Sequence, residues 1–283
     1  MKLIQKLAIR YLRIKLTLLS FLSKRKSAEK ALEIFCTPLN KSKKKTTRVF
    51  ENAEKLRFQM DNYTITGFRW NHEAEQNKKR VLLLHGFEST VKNFEGYINP
   101  LIEKNYEVLA FDAPAHGESS GKQITLPLYI KTIKTIYEKF GPVQSFISHS
   151  FGGLAVTHFM ENINHNSDTR IVLIAPATET TTAINSFFEF LRLGDKVKIE
   201  FNKLIEEKSG LKPSHFSIRR AVAHLHAKIL WIHDEDDDIT PLSDVLKIKE
   251  NKHPNIIFHF TKGLGHRKIY RDSEIIKKII GFL

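Results

Sequence analysis

Six short stretches constrain this chain more than anything else in it. Val81–Leu84, Glu107–Phe111, Ser145–Ile147, Ile171–Ile174, Ile229–Ile232 and Ile256–Phe260 are nearly continuous in apolar residues. A strand with one face in water alternates apolar with polar side chains, whereas an unbroken run is buried on both faces, as parallel strands under helices are. Segments of helical period fall between the runs, for example 127–140 with Leu128, Ile130, Ile133, Ile136 and Tyr137. Strands alternating with helices predict an α/β chain on a mostly parallel, doubly wound sheet. Just upstream, Leu56–Met60 and Tyr63–Trp70 alternate with period two around Asp61-Asn62, which predicts an N-terminal antiparallel hairpin.

Residues 179–226 break that rhythm. They hold Phe187, Phe188, Phe190, Leu191, Val197 and Ile199 without a convincing strand, and read as a helical cap insertion over the carboxyl edge of the sheet, where open α/β sheets bind ligands. A chain of 283 residues suffices for one large domain. The expected organisation is a basic helical extension over 1–50 and an α/β domain over 51–283 that carries the insertion.

The charge is unevenly placed. Of 45 Lys and Arg and 31 Asp and Glu, residues 1–50 hold fourteen basic side chains against Glu29 and Glu33. The rest of the chain is close to neutral, so a basic groove for nucleic acid across the domain is not expected. The single cysteine, Cys36, rules out an intrachain disulfide framework and reads as a small packed residue.

Within residues 1–22, Leu3, Ile4, Leu7, Ala8, Tyr11, Leu12, Leu18, Leu19 and Leu22 approximate one face of a helix, and Lys2, Lys6, Arg10 and Arg13 form a stripe on another. Five basic residues interrupt the stretch, which argues against a membrane span. The short apolar run Leu16–Leu22 with no A-x-A site after it argues against a secretory signal. Two uses of an amphipathic basic helix remain: packing on the body of the protein, or peripheral contact with an anionic membrane. The expected location is cytoplasmic, either free or at the inner face of a membrane. Lys41-Ser42-Lys43-Lys44-Lys45 reads as a solvated loop.

The chemistry gathers at strand ends. Ile147-Ser148-His149-Ser150-Phe151-Gly152-Gly153 follows a buried strand and precedes the apolar helical run Leu154–Met160. A serine on such a tight turn is lifted out of the sheet beside a helix N-terminus; the alternative for Ser150 taken alone is a cap on that helix. Leu84-His85-Gly86-Phe87 ends another strand, and Phe111-Asp112-Ala113-Pro114-Ala115-His116-Gly117-Glu118-Ser119 follows the next. An acid-rich segment, His233-Asp234-Glu235-Asp236-Asp237-Asp238-Ile239-Thr240-Pro241, closes a fifth run, and Gly263-Leu264-Gly265-His266 follows the last.

In this order the segments resemble the α/β-hydrolase superfamily, in particular a serine esterase or lipase-like member with a short helical cap. The serine turn is similar to the nucleophile elbow G-x-S-x-G, with Ser148 in place of the first glycine. The resemblance implies Ser150 as nucleophile, His266 as base, and Asp237 as the acid four residues before Pro241, with Asp236 and Asp238 as alternatives. It implies an oxyanion hole from the backbone N–H groups of Phe87 and Phe151, and structural roles for Asp112, His116, His85, His149 and His233. No cofactor and no catalytic metal are expected.

The implied reaction is hydrolysis of an ester-type bond on a small apolar acyl substrate, through an acyl-enzyme. Two alternatives remain open: a catalytically inactive binding protein on the same fold, and an acyltransferase or thioesterase using the same triad.

Overall fold

The computed structural model describes residues 3–39, 46–72 and 79–283; the stretch Lys41–Lys45 lies outside them. The helices, in chain order, are α1 (Leu3–Leu22), α2 (Lys24–Phe35), α3 (Arg48–Glu51), α4 (Glu95–Glu103), α5 (Leu126–Phe140) and α6 (Phe151–Met160). They continue with α7 (Thr180–Leu191), α8 (Asp195–Ser209), α9 (Ile218–Ala221), α10 (Leu242–Glu250), α11 (Gly265–Lys268) and α12 (Ser273–Phe282). The strands are β1 (Glu54–Met60), β2 (Tyr63–Trp70), β3 (Arg80–Leu84), β4 (Glu107–Phe111), β5 (Ser145–His149), β6 (Arg170–Ile174), β7 (Lys228–Asp234) and β8 (Ile256–Thr261). They group into two compact units, Pro38–Thr178 with Ile218–Leu283, and Met1–Thr37 with Glu179–Ser217.

The first of these is built on a sheet in the order β1-β2-β4-β3-β5-β6-β7-β8. β1 and β2 form the antiparallel hairpin, closed by the Met60–Tyr63 pair, and β2 also runs antiparallel to β4. From β4 onward every pairing is parallel. The fold is the α/β-hydrolase fold, as the order of the motifs implied. Strand positions match the apolar runs to within a residue or two, and β5 extends past Ile147 through Ser148 and His149.

Alternation within the buried strands sorts side chains to two covered faces. Val81, Leu83, Val108, Ala110, Ile147, Val172, Leu230 and Ile232 join one core with Phe94, Tyr97, Leu101, Ile275 and Ile279. The alternate residues Leu82, Leu109, Phe146, Ile171 and Leu173 are also buried, and Phe146 meets Phe159 of α6, ring centroids 6.1 Å apart. The nearly buried Glu107 joins three strands by accepting from Arg69 Nε and Arg80 Nε, each at 2.8 Å.

The other unit is helical. Ala28 and Ala31 of α2 pack with Ile184, Phe188, Val197, Phe201 and Leu204 of α7 and α8. Phe35 meets Phe187 and Phe201 edge-on, at 5.1 and 5.6 Å, and Arg25 grips the carboxylate of Glu207 with both arms of its fork. Glu179 bridges Ser217, tying the ends of the inserted stretch. Much of the phenylalanine content of 179–226 is therefore spent on this core. This unit takes the chain through Thr37 and from Glu179 to Ser217. Cys36 is buried within it, and burial pushes its thiol up to about 11.

Asp112 holds together the loops that follow β3 and β4. Its fully buried carboxylate accepts from Thr90 Oγ1 at 2.8 Å, Val91 N at 3.0 Å and Glu118 N at 2.9 Å. Asp112→Ala would leave those donors unpaired, and unsatisfied buried donors cost about 1–3 kcal/mol each before relaxation. We expect a loss of about 3 kcal/mol in urea denaturation, with Asp112→Asn losing less; a loss below about 0.5 kcal/mol would contradict this role.

Candidate active site

Ser150 sits between β5 and α6 with φ 54° and ψ −120°, a backbone region that non-glycine residues seldom occupy. The turn is pinned by Ser150 N donating to Ile174 O at 3.1 Å, and by Ala177 N and Gly153 N donating to Ser150 O at 3.1 and 2.9 Å. α6 passes so close beneath that a Cβ at Gly152 would lie 2.6 Å from Leu84 O and 2.7 Å from His85 O. Ser148, where the elbow pattern has glycine, fits because its buried hydroxyl donates to Val172 O at 2.8 Å.

The three side chains expected to act together do meet. His266 Nε2 lies 3.0 Å from Ser150 Oγ, and His266 Nδ1 lies 2.8 Å from Asp237 Oδ2. With Nδ1–H donating to the carboxylate, Nε2 is left as an acceptor for the serine hydroxyl. All three residues are at least nine-tenths buried.

Each acid of the crowded segment has its own place. Asp237 Oδ1 accepts from Ile239 N at 2.9 Å and Thr240 N at 2.8 Å, and Oδ2 from Thr240 Oγ1 at 2.8 Å. Asp236 is exposed and accepts from Gly263 N at 3.0 Å; Asp238 is exposed. Asp234, fully buried, accepts from Thr261 Oγ1 at 2.7 Å, Leu264 N at 3.0 Å and Asp236 N at 3.0 Å, and so joins the acid loop to the loop that carries His266. Gly263 and Gly265 turn that loop at φ 86° and 59°.

The other motif histidines brace the site. His85 Nδ1 donates to Gly86 O at 2.8 Å while Nε2 accepts from Ala113 N at 2.9 Å. His116 Nδ1 donates to Pro114 O at 2.9 Å and Nε2 accepts from Glu88 N at 3.0 Å. Together the two rings fasten the segment holding Phe87 to the loop after β4. His233 Nε2 donates to Thr240 O at 2.8 Å. His149 Nε2 donates to His266 O at 2.9 Å, and its ring lies against those of Tyr270 and His266, at 4.1 and 4.7 Å. Burial, with a smaller contribution from the charge on His266, lowers His149 to about 3, so it is neutral at ordinary pH.

Phe151 opens α6, so its N–H is one of the first-turn amides that have no acceptor within a helix. Phe87 directly follows Gly86, where a Cβ would lie 2.8 Å from Ser150 Cβ. The rings of Phe87 and Phe151 meet edge-on at 6.2 Å, and the buried Tyr129, its hydroxyl donating to His85 O at 2.9 Å, stands 5.6 Å from Phe151. Two site residues were not singled out in the sequence. Thr240 supplies three of the bonds around Asp237 and His233, and its only signal was its place three residues after an aspartate. Asp234 looked like one acid among several.

Comparison with known proteins agrees with this architecture. Residues 75–235 match the family model described as "Serine aminopeptidase, S33". The chain belongs to that family. The matched segment includes Ser150 and stops short of Asp237 and His266. Among curated proteins, a Danio rerio "Serine hydrolase-like protein" is 23% identical over 199 residues, 69% of this chain and 59% of that one. The chain thus spans under two thirds of the zebrafish relative. "Uncharacterized protein YqkD" of Bacillus subtilis (strain 168) is 22% identical over 245 residues, 80% of this chain and 77% of that one. Of solved structures, the Pyrococcus furiosus esterase Pf2001 superposes with a TM-score of 0.64 at 20% identity, covering 87% of this chain and 98% of that one. Est1E of Butyrivibrio proteoclasticus, solved with ferulic acid bound, superposes at 0.63 with 15% identity, covering 80% and 97%. At these identities the superpositions speak for the fold.

The Asp237 contacts have a pH signature. Burial pulls its carboxyl up, but the hydrogen bond and charge of His266 and the N–H groups of Thr240 and Ile239 outweigh it, bringing it down from 3.8 to about 2. A carboxyl depressed in the folded state contributes stability above its unfolded value that is lost as pH falls through the folded one. Between about pH 5 and pH 2 the stability advantage of wild type over Asp237→Asn should shrink by about 2 kcal/mol. Denaturation curves at both pH values measure this, and an unchanged difference would contradict the ion pair.

Proposed function

We propose that this protein is a serine hydrolase that cleaves an ester-type bond of an apolar acyl substrate through an acyl-enzyme. The observation that carries the reading is the continuous set of contacts Ser150–His266–Asp237, made by a serine on a strained turn at a helix N-terminus.

In this mechanism Ser150 Oγ attacks the substrate carbonyl carbon as its proton passes to His266 Nε2. Asp237 holds the imidazole in orientation and stabilises the imidazolium. The tetrahedral oxyanion is met by the N–H groups of Phe87 and Phe151, which act where charge develops. Collapse breaks the carbon–oxygen bond, and the leaving alkoxide takes the proton from His266. Water then attacks the acyl-serine as its proton passes to His266; the bond from the acyl carbon to Ser150 Oγ breaks, Oγ takes the proton back from His266, and the acid leaves. The rings of Phe87 and Phe151, on the residues whose N–H groups would meet the oxyanion, support an apolar acyl group. The Pyrococcus furiosus esterase among the structural neighbours fits the same bond class.

The test is turnover of p-nitrophenyl esters graded from short to long acyl chains, by wild type and Ser150→Ala. Wild type should turn them over, with an optimum above acetyl, and Ser150→Ala should lose at least about a thousandfold. The family description favours one second reading, cleavage of an aminoacyl amide. Turnover of aminoacyl p-nitroanilides in place of esters, abolished by the same substitution, would support it. Folded wild type with no turnover of either series would contradict catalysis and favour a binding protein on the same fold.

A further inference from the structure

α1 is apolar on two opposite sides, and only one of them has a partner among the described residues. Successive residues advance about 100° around a helix, which sets Ile9, Leu12, Leu16 and Leu19 together. Leu16 is fully buried and the other three are half-buried, where α1 packs on α2 and α7. Ser27 Oγ donates to Leu16 O at 2.9 Å, locking α1 to α2 on this side. The opposite side carries Leu7, Tyr11, Ile14, Leu18 and Phe21, spaced four, three, four and three apart, with Leu22 at the end. These six are between 52% and 86% exposed.

Apolar side chains left in water along a whole helix are costly, since burying each would be favourable. What surrounds them identifies the occupant. Arg10 borders the stripe on one side and Lys15 on the other, both exposed. Lys15 Nζ lies over the Tyr11 ring at 5.9 Å, and Lys24 Nζ over the Phe21 ring at 5.6 Å. No Asp or Glu precedes Glu29. A hydrocarbon stripe between cations, with no acid among them, complements a surface that presents hydrocarbon beneath negative headgroups. A second copy fits less well, because a twofold contact through this face would set like charges against each other. No described helix is long and apolar enough to cross a membrane, and the inner side of α1 is occupied.

We propose that the outer face of α1 docks on an anionic lipid surface, with the helix lying in the plane of the interface. Leu7, Tyr11, Ile14, Leu18 and Phe21 enter the headgroup boundary while Arg10, Lys15 and Lys24 meet the anionic groups. The docking does not depend on the reaction at Ser150.

The experiment is co-sedimentation of the full chain with vesicles of phosphatidylcholine alone or mixed equally with phosphatidylglycerol, alongside sedimentation velocity without lipid. Wild type should partition to the mixed vesicles, bind pure phosphatidylcholine far less, and release as salt is raised. Ile14→Glu with Leu18→Glu should lower partitioning at least about tenfold while ester turnover and circular dichroism stay unchanged. Tyr11→Trp needs no disruptive charge: the emission of the introduced indole should shift to the blue with mixed vesicles. Folded wild type that ignores mixed vesicles, or an indole emission in Tyr11→Trp that they leave unmoved, would overturn the proposal. So would a lipid-indifferent dimer that the double substitution dissociates, which would assign the face to a second copy.

Discussion

The backbone of Ser150 is the constraint on which the rest of the site depends. Holding a serine at φ 54° and ψ −120° costs on the order of 1–3 kcal/mol, and such a conformation persists only where its surroundings over-determine it. Here the surroundings are the ends of three neighbouring strands. Ile174 at the end of β6 accepts from Ser150 N, the Ser150 carbonyl accepts from Gly153 and Ala177, and α6 rests on the carbonyls of Leu84 and His85 where β3 ends. The parallel register of β3, β5 and β6 is what brings those ends level. A slip of one residue would exchange the faces of every side chain in the slipped strand and carry the serine with them.

From that fixed point the remaining groups are set by short chains of hydrogen bonds. Asp237 and His266 come from loops after β7 and β8, adjacent parallel strands, and Asp234 binds one loop to the other. Asp237 has four donors on its two oxygens, so its position is set before any substrate arrives. His149, next to the serine in sequence, holds the main chain of His266 through its ring. The site therefore resembles a frame in which orientation is established in the folded ground state, the form of preorganisation that electrostatic catalysis requires.

Much of this could be read from residues alone. Glu107–Phe111 is a strand over the residues expected, and the hairpin turns at Asp61-Asn62 as its alternation implied. The order of Ser150, Asp237 and His266 named three side chains that the fold brings into contact. Other features could not be read, for physical reasons. Ser148 and His149 look polar, yet belong to β5 because each finds a carbonyl inside the fold. The acids 234–238 differ in where they point, and that depends on the backbone of β8 and its loop. The spacing of residues 1–22 implies one apolar face; packing on α2 and α7 uses one side of α1 and leaves the exposed apolar side as a second. The phenylalanines after residue 179 signalled burial without saying against what, and Phe35 of α2 supplies the answer from a distant part of the chain.

The proposed chemistry requires Ser150 to be a nucleophile activated by His266. The direct measurement is mass spectrometry of the intact protein after exposure to a fluorophosphonate, with the adduct mapped by peptide sequencing. One adduct per chain, on Ser150, is predicted for wild type, with labelling slowed strongly in His266→Ala and absent in Ser150→Ala. Folded wild type that stays unmodified, or is labelled as fast without His266 as with it, would contradict the account.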